Sequence, residues 1–350
     1  MRYVRLLSLA LMGVLGVVAI RMVTLGAQTA PRPTVAVDRE WTPPRTVDGQ
    51  IDIEGVWDFS TITPLERPAN LGDKQTFSEE EAAAFERVEN LRQNRDLIDP
   101  KKGGLNYLPG SVVPYNEFWY ERGNRIAGSR RTSLIVDPPD GRIPSLTPQA
   151  QRRLDAQADE ARDEQLGTVR ADSAQSRSLV DRCIVGLNSG PPFTPGAYNN
   201  RVQIVQGPEV VVFVMEMVHE PRVVPLDGRP LLPQVIRPYS GVSRGRWDGR
   251  TLVVDTTNFL RETAFRGSSA SMRLVERFTR TGADTLLYQF TVEDPATWDR
   301  AWTAEAPLAK TEGPIFEFAC HETNYGIPNI LAGARAEEKT KAEQAKKGSN

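Results

Sequence analysis

Short apolar runs at close spacing, Asp-Gly pairs between several of them, and abundant proline and glycine predict a mostly β protein. The expected architecture is an antiparallel up-and-down barrel with two helical insertions. The chain has 26 prolines and 27 glycines among 350 residues, and their spread between apolar runs marks turns rather than long helices. Asp-Gly occurs four times, at Asp48-Gly49, Asp140-Gly141, Asp227-Gly228 and Asp248-Gly249, and supplies the positive φ angles of a tight hairpin turn. Strand pairs are predicted at 201–206 with 210–218, 242–247 with 250–259, 274–280 with 285–293, and 302–306 with 314–321. Strands this close in sequence pair antiparallel, because parallel pairing needs a long crossover. Such a meander closes into a barrel or splits into a sandwich, and the barrel is the expectation.

The N-terminus carries an export pattern. Arg2 and Arg5 precede the apolar run Leu6 to Ile20, the length of a signal-peptide core, and Ala27 or Ala30 fits the cleavage position. A permanent anchor is the competing reading, but Arg21 interrupts the roughly 20 apolar residues that a spanning helix needs. The expected organisation is a signal peptide over 1–30, a linker over 31–50, a β-barrel domain over 51–326 and a charged tail over 327–350. The location implied is periplasmic or secreted, with no stable membrane insertion once the signal is removed. Net charge is −2, so no basic excess points to a nucleic-acid partner.

Two helices interrupt the strands. Ser78-Glu79-Glu80-Glu81 is a capping box, with Ser78 capping free amides and Glu81 reaching back, and predicts a helix near 79–96. Thr147 as cap with Pro148 at the first helical position predicts a second near 148–165. Tyr115 to Tyr120 and Thr132 to Val136 read as short strands between them. The only cysteines are Cys183 and Cys320. An even count in an exported chain favours one disulfide over two buried thiols.

Ile51 to Phe59 reads as the first strand, and its Gly55-Val56-Trp57 resembles the opening strand of lipocalin-like barrels, in which the tryptophan closes one end. Arg244 to Gly249, Val254 to Phe259 and Trp302 to Glu305 resemble runs in a group of exported bacterial proteins without assigned biochemistry. That resemblance implies export and a single fold, and nothing about chemistry.

No phosphate-binding loop, dinucleotide fingerprint, Cys-x-x-Cys or His-Glu-x-x-His is present. With only His219 and His321 in the chain, a three-histidine zinc site is impossible within it. A site joining both histidines to nearby glutamates needs converging strands. No cofactor or metal is expected. Glu216 is the single charge in the apolar run Val210 to Val218, and desolvation there prepares an acid or base unless a cation meets it. A structural ion pair and a strand end reaching solvent are the plainer alternatives. His219 follows it. In the hairpin at Asp248-Gly249, a two-residue turn sets Trp247 facing Arg250 and Arg244 facing Val253; Trp247, Leu252 and Val254 then share an apolar face, while Arg244, Arg246 and Asp255 share the other. That second face is either an exposed ion-pair surface or a lumen that binds an anion through two guanidiniums. The aromatic residues, Trp57, Trp119, Tyr120, Trp298 and Trp302 among them, either pack or wall a ligand cavity.

The functional expectation is an exported enzyme acting on a small organic substrate, with Glu216 and His219 as catalytic groups. Arg244, Arg246, Asp255 and His321 would orient the substrate. The alternative is a non-catalytic, lipocalin-type binder of an apolar small molecule.

Overall fold

Local signals define most of the strands, and long-range pairing joins them into one sheet. The computed structural model describes residues 41–104, 109, 115–165, 171–218, 220–261, 265–322 and 324–348. The expected signal peptide, residues 31–40 of the linker and His219 lie outside them. Ten strands form one antiparallel sheet: β1 (Gly55–Asp58), β2 (Ile135–Asp137), β3 (Arg201–Gly207), β4 (Val210–Met215), β5 (Pro221–Pro225), β6 (Val242–Asp248), β7 (Thr251–Thr257), β8 (Arg273–Gly282), β9 (Thr285–Glu293) and β10 (Trp302–Thr311). Their order is β5-β4-β3-β1-β10-β9-β8-β7-β6, with β2 alongside β10. Three helices accompany them, α1 (Glu79–Gln93), α2 (Pro148–Gln165) and α3 (Gly326–Gly348), one more than expected. None of the described helices is long and apolar enough to cross a membrane.

Three hairpins, β3–β4, β6–β7 and β8–β9, fall where the sequence predicts them, each with a two-residue loop. Only one of those loops contains an Asp-Gly glycine, and its register differs from expectation. Gly249, at φ +59°, takes the first turn position with Arg250 second, the glycine site of a type II′ turn. Trp247 therefore faces Leu252 rather than Arg250, and Arg244 faces Asp255 rather than Val253. Both strands keep their inward residues through this slide: Leu252 and Val254 are buried and Trp247 packs against the core.

The fourth predicted pair does not form. β10 continues to Thr311, pairing with β9 and, at its far end, with β1. Residues 314–321 carry no strand, and Phe316 is 60% exposed. The stretch from Tyr115 to Tyr120 is a single helical turn over Glu117–Trp119 rather than a strand. Both predicted helices form. Ser78 Oγ accepts from Glu81 N at 3.2 Å while Glu81 Oε2 accepts from Ser78 N at 2.8 Å, and Thr147 Oγ1 accepts from Ala150 N at 3.1 Å.

One face of the sheet is the core. Along β8 and β9 the inward residues are Leu274, Glu276, Phe278, Leu286, Tyr288, Phe290 and Val292, all buried, and they alternate with half-exposed ones. Rings fill this space: Phe213 lies 4.8 Å from Phe278, Phe278 4.9 Å from Tyr288, and Phe193 5.1 Å from Tyr288, between centroids. Trp57 of β1 is fully buried, its Nε1 donating to Ile53 O at 2.9 Å. β5 and β6, the two ends of the strand order, meet through side chains with no backbone ladder between them. A β-carbon on Gly245 would stand 2.5 Å from Leu226 and 2.9 Å from Val224, so a side chain here would push β5 away.

Candidate functional site

Among the described residues two carboxylates are fully buried, Glu216 and Glu276, and the sequence points at only the first. Glu216 is the first residue after β4, and its N–H still donates to Arg201 O at 3.0 Å. Its side chain is fully buried. Oε1 accepts from Phe316 N at 3.0 Å and lies 3.8 Å from Arg201 Nη1, while Oε2 has no hydrogen-bond partner. Arg201 also stands over the Phe316 ring at 5.8 Å. Met217 is buried against Gly186, where any β-carbon would collide with it. Val218 then adopts φ +65°, a left-handed conformation that costs a β-branched residue most. A buried carboxylate thus sits at the start of a strained turn and pins the segment carrying Phe316.

That segment is one wall of a groove of about 710 Å³. Glu317 to Cys320 form the wall, and the first turn of α3 continues it. Opposite stand the turn containing Trp119 and the stretches around Cys183 and Tyr198. Each wall is tied down. Cys183 and Cys320 form a disulfide with 5.7 Å between Cα atoms. Asn324 Nδ2 donates to Asp181 O at 2.8 Å and to Cys183 Sγ at 3.3 Å. The Glu117 N–H donates to Asp96 Oδ1 at 2.9 Å, and the Glu117 carboxylate accepts from Arg95 N at 2.9 Å and from Arg122, which holds the Trp119 turn to the end of α1. Asn200 Nδ2 donates to Glu121 O at 2.9 Å, joining that turn to the start of β3. Tyr198 stacks on Phe318 at 6.3 Å, and burial pushes its phenol above the ordinary range. Cys183 and Asn199, both groove residues, have φ of +57° and +54°.

The other residues proposed from sequence are not assembled with Glu216. Arg244, Arg246 and Asp255 lie on the outer face of the β6–β7 hairpin, opposite buried Leu252 and Val254. Asp255 accepts from Arg273 of β8, Nε to Oδ1 at 2.9 Å, and not from Arg244. Arg244 Nη1 donates to Ser243 O at 2.9 Å, and its Nε has no partner. His321 is exposed in the turn after Cys320. No hydrogen bond or ion pair among the described residues joins Glu216 to any of these four. No cluster of metal-ligating side chains occurs among the described residues.

The second polar centre lies inside the core and escapes the sequence reading. Arg222 of β5 reaches across the interior to Glu276 of β8, donating from Nη1 to Oε1 at 3.1 Å and from Nη2 to Oε2. Its Nε donates to Ser243 Oγ at 3.1 Å and Nη2 to Thr256 Oγ1 at 3.0 Å. Tyr288 OH donates to Glu276 Oε1 at 2.8 Å and accepts from Phe193 N at 3.1 Å. Burial, with the Glu276 carboxylate alongside, pushes the Tyr288 phenol well above its ordinary range. Every guanidinium nitrogen and both carboxylate oxygens have a partner within the core, which marks this centre as a structural network. The signal that exposes Glu216 exposes Glu276 too: a lone acid in phase with Leu274 and Phe278 on an alternating strand.

No protein-family model, curated protein or solved structure matches the chain. What the residues define is a disulfide-stapled antiparallel β protein with an aromatic groove at the margin of its sheet.

Proposed function

We propose that the chain binds a ring-bearing small molecule in the groove beside Cys183–Cys320. The observation that carries this reading is the groove itself: about 710 Å³, walled by Tyr115, Trp119, Tyr198 and Phe318, with its sides fixed by a disulfide and side-chain-to-backbone bonds. Small-molecule sites are concave and mostly apolar with a few placed polar groups, and fixed walls lower the ordering cost of binding. The ring-filled inner face of the sheet favours this peripheral groove over a lipocalin-type lumen. The barrel expectation belongs to the same proposal, with side-chain contact between β5 and β6 standing in for a closing ladder.

N-phenyl-1-naphthylamine, a neutral fluorogenic probe, should bind with one equivalent and brighten. Trp119→Ala should weaken it about tenfold, the loss of roughly 1.4 kcal/mol that one large ring contributes through stacking and burial. Equal affinity in wild type and Trp119→Ala, with unchanged far-UV dichroism, would count against the groove.

The catalytic reading has one supporting observation, the buried and unpartnered Oε2 of Glu216. Glu216→Gln keeps an oxygen for Phe316 N and should fold normally, whereas Glu216→Ala should cost about 1–3 kcal/mol by orphaning that amide. If Glu216 is an acid or base, Gln also abolishes turnover of whichever chromogenic ester or glycoside the wild type cleaves, while probe binding persists. Turnover that survives in Glu216→Gln leaves the residue as an anchor of the groove wall.

A further inference from the structure

We infer that the groove selects an organic cation, a quaternary ammonium or similarly diffuse positive group, and this rests on the binding proposal above. Three observations converge. First, the described residues lining the groove include the carboxylates Asp181 and Glu317 and no lysine, arginine or histidine. Asp181 is paired with Arg177 at 3.0 Å, whereas Glu317 has no ion-pair partner among the described residues, so the lining carries one uncompensated negative charge. Second, the rings that border it, Tyr115, Trp119, Tyr198 and Phe318, offer negative faces that attract a cation, most strongly when it sheds water easily. Third, Tyr120 of the groove lining and Phe316 beside its wall already behave in this way toward the protein's own cations: Arg122 stands 4.5 Å and Arg95 5.2 Å from the centre of Tyr120, and Arg201 stands 5.8 Å from Phe316.

Two features oppose a cation: the guanidiniums of Arg95 and Arg122 on Tyr120, Arg122 being paired with Glu117, and the amino end of α3, since a helix start favours anions. Asn324 Oδ1 accepts from Ile327 N at 3.4 Å, which meets one of the free amides there. The residues that this turn adds to the groove lining are Gly326, Ile327 and Ile330. A neutral apolar ligand would leave Glu317 without a counter-charge, and an anion would face it. A cation meets both the carboxylate and the rings.

Full-length protein titrated with phenyltrimethylammonium and with its uncharged isostere tert-butylbenzene separates the possibilities, each read by displacement of N-phenyl-1-naphthylamine. The cation should bind about tenfold more tightly, and raising the salt from low to physiological strength should narrow that ratio. Glu317→Gln should lower the cation's affinity several-fold and leave tert-butylbenzene unaffected. Equal binding of the two isosteres, or tighter binding of 4-tert-butylbenzoate, overturns the cation assignment while the groove reading stands. If the naphthylamine itself fails to bind, the groove reading falls and this inference falls with it.

Discussion

Replacing Arg222 with methionine is expected to lower the unfolding free energy by about 3–5 kcal/mol, a large part of the roughly 5–15 kcal/mol that a typical domain possesses. The guanidinium is only 7% exposed and the Glu276 side chain fully buried. Removing the arginine leaves a carboxylate with only the Tyr288 hydroxyl to donate to it. Breaking a buried pair on one side costs more than the pair contributes, because the survivor keeps its desolvation penalty. Glu276→Leu should be similarly severe, stranding a guanidinium that retains only Ser243 and Thr256.

The double variant Arg222→Met/Glu276→Leu should recover most of the loss. Ser243 Oγ and Thr256 Oγ1 remain bonded to each other at 2.9 Å, and Tyr288 OH keeps the Phe193 amide. Urea unfolding of all four proteins gives the coupling energy directly, and a coupling of at least ~2 kcal/mol is expected. Single variants that each cost under ~1 kcal/mol would mean that the pair is effectively hydrated. The position adds a second readout. Arg222 belongs to β5 and its partners to β6, β7 and β8, so it ties the two ends of the strand order together from inside. Arg222→Met should therefore speed amide exchange in β5 and β6 more than in β8 and β9.

What could be read in the sequence follows how local each determinant is. The α1 start is written in four consecutive residues, Ser78 to Glu81, and each hairpin in one short stretch. The presence of α1 and of three hairpins and their inward faces are accordingly foreseeable, although the β6–β7 turn falls at Gly249-Arg250 rather than Asp248-Gly249. β1 is different: it pairs with β3 and β10, whose residues lie more than a hundred positions away, and no local pattern specifies that choice. Ile315 to Cys320 shows why alternation alone misleads. It has the period of a strand, yet Glu216 and the disulfide hold it, and Phe318 lines a groove. Glu216 was visible as a charge among valines and methionines, and it is buried. Its partner Phe316 was not visible, because a backbone amide has no sequence signature. Arg222 was missed because β5 is short and begins with a proline, a residue that argues for an edge strand, which β5 is.

Loss of the Cys183–Cys320 bond is expected to cost about 5 kcal/mol in the chain-entropy model, since it spans 137 residues. That is a ceiling, because residual structure in the reduced unfolded chain and strain in the native one both reduce it. The prediction has two parts that separate stability from function. Cys183→Ala/Cys320→Ala should shift the urea midpoint strongly downward, whereas the oxidised wild type should expose no thiol in denaturant until reductant is added. Under conditions where both proteins remain folded, the variant should also bind N-phenyl-1-naphthylamine more weakly. Cys320 ends the Glu317–Cys320 wall, and without the bond that wall loses its covalent tie to Cys183, while Glu216 at Phe316, the Tyr198–Phe318 stack and Asn324 beyond it remain. Two titratable thiols in unreduced protein would refute the bond. A large loss of stability with unchanged probe affinity would assign the bond to folding alone and leave the groove walls to Glu216 and Asn324.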